Sequence, residues 1–144
     1  MTRKTSQVSV EKNKAANFHS VALNFFHGAK LAAEHQYYNA AGVLIVHAAI
    51  AYADALCIKT KGKRAKGENH HEVVNLLDSI IIHSEAKKRA LDNLSKIIEQ
   101  KNIVSYHGDI YYKSDIDKLS RSFDKFQEWA ETLLTSARNT WYHP

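Results

Sequence analysis

The sequence has little that would interrupt a helix or cross-link a chain: among 144 residues there is one proline, Pro144, one cysteine, Cys57, and 5 glycines. A lone thiol excludes an intramolecular disulfide framework. Without internal proline, long helices have no obligate breaks, and the abundance of Ala, Leu, Lys and Glu favours them. The first dozen residues carry charge and no apolar signal core, so the reading expects a reducing, cytoplasmic setting.

A second absence is more informative. Between Glu34 and Asp54 there is no Asp, Glu, Lys or Arg. A helix over Tyr38 to Ile58 must therefore be covered on nearly all sides. Its apolar residues are mostly small, with Leu44, Ala48, Ala51 and Ala55 at helical spacing, so neighbouring helices can approach closely. His47 and Tyr52 interrupt the run and Asp54 ends it, which favours the central helix of a bundle over a membrane span; no membrane partner is expected.

The length suits one domain over residues 1–144, with a flexible basic tail at 1–7. Twenty basic against 15 acidic groups give a formal charge of +5, compatible with an anionic partner but only modestly cationic. The fold class expected is all-α: an antiparallel bundle of four long helices and one short one. The first long helix runs from Val8 to His35, with Ala15, Phe18, Ala22, Phe25, Phe26, Ala29 and Ala32 on one face. The second follows directly. Asn69, with Glu72 three residues on, caps a short helix from His70 to Ile82. Ser84 caps a helix from Ser84 to His107 with the stripe Ala90, Leu91, Leu94, Ile97 and Ile98. Ser114 opens the last, Asp115 to Arg138, along the seam Ile116, Leu119, Phe123, Phe126, Ala130, Leu133 and Ala137. Core packing is the expected role of Phe123, Phe126 and Trp129.

Continuing the stripe of the fourth helix by one turn brings up Lys101 and Asn102, so polar groups stand where core is due. Lys101-Asn102-Ile103-Val104-Ser105-Tyr106-His107-Gly108 places a cation, an amide and an imidazole within two turns. Taken with the Ala-rich second helix and the opening Gly67-Glu68-Asn69-His70-His71-Glu72 of the third, the chain resembles the HEPN superfamily of nucleotide-binding helical domains over nearly its whole length. Members carry an Arg-Asn or Arg-polar pair followed after four to six residues by His.

The resemblance implies a homodimer in which two motifs face one another across a cleft. In nuclease members, Arg and His cut RNA without metal: the guanidinium steadies charge developing on the phosphate while the imidazole moves a proton. Here Asn102 and His107 match, but Lys101 replaces the Arg, keeping the charge and losing its bidentate fork. Lys101, Asn102 and His107 are the first candidate site. The resemblance then implies a regulatory module that binds a nucleotide, RNA or a nucleotidyltransferase-type protein without efficient cleavage. A metal-independent ribonuclease, toxin-like and paired with a nucleotidyltransferase antitoxin, is the alternative, and a structural adaptor a second one. No cofactor is expected.

Other groups rank behind. Arg138 and His143 make a literal Arg-x4-His after the last helix. Lys59, Lys61, Lys63, Arg64 and Lys66 form a connector with five cations, a candidate phosphate-binding loop that lacks interleaved aromatics. Glu68, His70, His71 and Glu72 read as helix-start residues, because a di-metal bundle needs carboxylates from the other helices; no metal is expected. His47 reads as a buried neutral histidine.

Overall fold

The computed structural model describes residues 7–66 and 71–144. Strand β1 (Gln7–Ser9) and a 3-10 turn (Lys12–Lys14) precede helix α1 (Ala15–Glu34). Helix α2 (Tyr38–Lys61), strand β2 (Lys63–Ala65) and helices α3 (Glu72–Ile80), α4 (Glu85–Tyr106) and α5 (Lys113–Leu134) follow. The fold is an all-α bundle with one small antiparallel ribbon, in which β1 pairs with β2 and Val8 lies opposite Arg64.

Helix α2 is the axis, packed against α1, α3, α4 and α5. Its small side chains make this possible, for Ala41, Ala48, Ala49, Ala53 and Ala55 are all inaccessible to solvent. It is long and apolar enough to cross a membrane, yet most of it is buried within the bundle. From α5, Ile116, Leu119, Phe123, Phe126 and Ala130 enter the core as the seam anticipates, with Phe123 stacked on Phe26 of α1. From α4, Leu94, Ile97 and Ile98 join them.

Several boundaries depart from expectation. Residues 7–14 are not part of the α-helix, because Gln7–Ser9 finds a strand partner 56 residues away and the Val10 amide donates to the Gly62 carbonyl. The supposed tail thus reaches the ribbon at Gln7, while residues 1–6 lie outside the described residues. Helix α2 runs past the expected limit of Ile58 to Lys61 and is capped by Gly62, whose φ of 64° suits the left-handed conformation that glycine adopts without penalty. The cap proposed at Asn69 lies outside the described residues, and α3 begins at Glu72. Helix α5 starts two residues early and stops at Leu134, so Ala137 is exposed on the trailing segment. Ser84 does cap α4: its hydroxyl accepts from the Lys87 amide. Lys87, itself buried, donates from Nζ to the carbonyls of Asp78 and Ile81 and pairs with the Asp78 carboxylate, closing the end of α3.

Candidate functional site

The end of α4 that carries Lys101, Asn102 and His107 is pinned to the start of α2. Gly42 makes the close approach: a β-carbon built there would stand 2.7 Å from Val104 Cγ2 and 3.5 Å from both Tyr111 and Ile116. One turn earlier, the Asn39 carboxamide spans the α4–α5 connection. Its Oδ1 accepts from the Tyr111 amide at 2.9 Å, and its Nδ2 donates to the Asp109 carbonyl at 2.9 Å. Tyr111 turns inward, its hydroxyl donating to Gln100 Oε1. Burial, with the charges of Asp115 and Asp109 behind it, pushes that phenol above its ordinary range. The sequence places no emphasis on Asn39, because its partners lie some 70 residues away.

Within this frame Lys101 and Asn102 are half-buried members of α4, and His107 is its exposed C-cap. Lys101 continues the inward stripe, lying seven residues after Leu94 and three after Ile98, both fully buried. Six residues of helix carry His107 roughly 9 Å further along the axis and about 120° around it. The two therefore share one end of the bundle but not one face. Around them stand exposed apolar and aromatic groups that the sequence reading passed over: Leu31, Tyr37, Tyr106, Ile110 and Tyr112 are each more than half accessible.

His47 is also close to this end, and it is exposed rather than buried. It lies on α2 beside α1, with its ring 5.8 Å from that of Phe25. Partial burial lowers its pKa, and the positive charge of Lys101 lowers it further.

The other candidates occupy the opposite end of α2, roughly 20–25 Å along its axis from the level of Lys101. Lys59 belongs to α2 and is spent on α5, donating to the carbonyls of Leu133, Leu134 and Ser136. Lys61 donates to the His143 carbonyl and lies 5.8 Å from the centre of the Tyr142 ring. Lys63 and Arg64 are in strand β2 rather than a loop, and Lys66 follows it with a partner of its own. The connector is therefore structured, and within one chain it does not meet Lys101. Arg138 is exposed beyond α5, whereas His143 is tied by its backbone to Ile80. That segment lies near the start of α4, at the opposite end of the helix from Lys101. Glu68 and His70 lie outside the described residues, and among the described residues no group of His, Cys, Asp or Glu has the arrangement of a metal site.

Two buried polar features went unread in the sequence. Tyr52, fully buried, donates to Glu131 Oε1 and accepts from Gln127, while His19 bonds to the same carboxylate oxygen. Asp54 is buried inside α2, and burial pushes its carboxyl up to about 7 despite the opposing charge of Arg64.

A family model described as the HEPN domain matches residues 17–139, which takes in all but the first two residues of α1, helices α2 to α5 and the whole Lys101–His107 segment. Neither curated proteins nor solved structures gave a match.

Proposed function

Because the chain belongs to the HEPN family, a nucleotide- and RNA-related class of helical domain, we propose that it is a homodimeric binding module for a phosphate-bearing ligand, RNA or a nucleotide, with little or no nuclease activity. Lys101, Asn102 and His107 are the residues of this site. The observation that carries the reading is the bracing of α4 by Asn39 and Gly42, which holds a half-buried lysine in register at the rim of the bundle. Such a cation has lost part of its side-chain freedom before any ligand arrives, which favours binding.

Lysine supports capture more than cleavage. A point charge attracts phosphate, but it lacks the planar fork that holds a scissile group at two points, and such positioning supplies much of a rate enhancement. The exposed apolar rim of Leu31, Tyr37, Tyr106, Ile110 and Tyr112 supports a partner that covers this end, and a second copy of the chain is the partner proposed. A nucleotidyltransferase-type protein is the further partner, and the compartment is cytoplasmic.

Fluorescence anisotropy of a labelled single-stranded RNA over a salt series, run beside a cleavage assay on the same RNA, tests the reading. Binding should weaken as salt rises, weaken again in Lys101→Ala with a shallower salt slope, and leave the RNA intact. Efficient turnover abolished by His107→Ala would establish the ribonuclease instead. No binding, or binding indifferent to salt, would return the chain to a structural role. Analytical ultracentrifugation showing only monomer at micromolar concentration would remove the composite cleft.

A further inference from the structure

We propose that His47 and Lys101 form a phosphate-binding pair within a single chain, His47 being the imidazole that works with Lys101. The proposal deepens the functional reading above and rests on it.

Gly42 of α2 and Val104 of α4 are in contact, and these helices run in opposite directions, since the α4 end meets the α2 start. Five residues beyond Gly42 comes His47, and three residues before Val104 comes Lys101. At 1.5 Å per residue these steps are roughly 7.5 and 4.5 Å, measured in the same direction from the contact. The two side chains therefore stand at nearly one height. They also share one edge: Lys101 extends the α4 stripe that faces α2, and His47 is the exposed residue amid buried Val46, Ala48 and Ala49. Their electrical coupling agrees with the placement, for the ammonium is near enough to disfavour a proton on the ring.

Two nitrogen groups that repel one another's charge across an open seam constitute an anion site when a phosphate lies between them. The phosphate oxygens accept from Lys101 Nζ and from an imidazole N–H, and the negative charge of the phosphate offsets the repulsion. His107 is less well placed for this, being about 120° around α4 from Lys101. The third wall is apolar. Phe25 flanks the His47 ring, and Leu44 beside it fills the space above Gly28, where an added β-carbon would lie 3.3 Å from Leu44 Cδ1. A phosphate monoester or diester carrying a nucleoside against that wall is the chemical class the pair would take.

The test follows the His47 ring by NMR while inorganic phosphate is added to the full chain, and measures RNA affinity in variants. The His47 ring signals should shift saturably with phosphate, and Lys101→Met should abolish the shift. Lys125→Ala, which removes the same charge from a different face, should leave it intact. His47→Ala, a change at an exposed helical position, should weaken RNA binding about tenfold while circular dichroism stays as in the unaltered chain. RNA affinity lost in Lys101→Met but unchanged in His47→Ala would overturn this inference and leave the functional reading standing. Absence of RNA and phosphate binding by the unaltered chain would overturn both.

Discussion

Asn39 holds Tyr111 from one side only, by its carboxamide oxygen, and so leaves its amide nitrogen to take the carbonyls of Asp109 and, at 3.4 Å, Val104. One side chain thereby secures the last turn of α4, the connection and the approach to α5. Asn39→Ala leaves these groups without a partner, and the cost should be about 1–3 kcal/mol. Hydrogen exchange should quicken selectively over residues 104–112; uniform quickening across the bundle would contradict a local role.

Gly42 tests the same junction through volume. In Gly42→Ala the new methyl group meets Val104 Cγ2 well inside van der Waals distance, so α4 must shift or Val104 must turn. Overpacking of this kind costs about 1–3 kcal/mol, readable as a lower urea midpoint. The double variant Gly42→Ala with Val104→Ala should recover part of the loss. No recovery would mean that the clash lies elsewhere.

Asp54 predicts a pH dependence whose sign is fixed by burial. Its carboxyl holds a proton up to about pH 7 in the folded chain, while an unfolded aspartate releases it near 3.8. Between those limits the folded state binds more protons. Its contribution to stability is full below the lower limit, falls as pH rises and levels off above about 7. Asp54→Asn should flatten that fall, with a gain above pH 7 of roughly 3 to 5 kcal/mol at most. Urea unfolding at pH 4, 6 and 8 measures it. A profile unchanged by the substitution would show that other groups govern the slope.

Phe126 is fully buried, with its ring 5.9 Å from that of Trp129. Phe126→Ala should lower stability by about 3–5 kcal/mol, the usual range for an aromatic core truncation. A loss under 1 kcal/mol would mean that the core closes over the space.

Lys59 gathers three carbonyls at the end of α5. Lys59→Met keeps the aliphatic stem and removes the donor, so the last turn of α5 should fray, at a cost of about 1–3 kcal/mol. Hydrogen exchange over residues 131–136 checks it, and unchanged protection there would argue that solvent serves the carbonyls as well.

What the sequence yielded depended on how far each cause reached. The Ser84 cap and the α4 stripe are written within one or two turns, and both helix limits came out within a residue. The α5 seam likewise reads at i+3 and i+4. The β1–β2 ribbon could not be read in that way, because three-residue strands carry no periodicity and their partners lie far apart in the chain. The basic connector was misread for the same reason: Lys59 and Lys61 look solvated until α5 and the 141–143 segment fold back onto them. At the site, the stripe into Lys101 was legible, but the exposure of His47 depends on where α1 and α4 leave a seam over α2. Asp54 falls inside the expected helix, but its burial was not legible, because it depends on the elements packed around α2 and on Arg64 coming back towards it.

The ribbon and the final bridge have a practical corollary. Gln7–Ser9 pairs next to the C-terminal end of α2, and the bridge of Ile81 with Tyr142 sets the other extremity of the fold at that pole as well. A tag or tether attached through either extremity would immobilise the molecule with Asn39, Lys101 and His107 directed away from the support. Surface-based binding measurements anchored at that pole therefore leave the Lys101 end open to a ligand in solution.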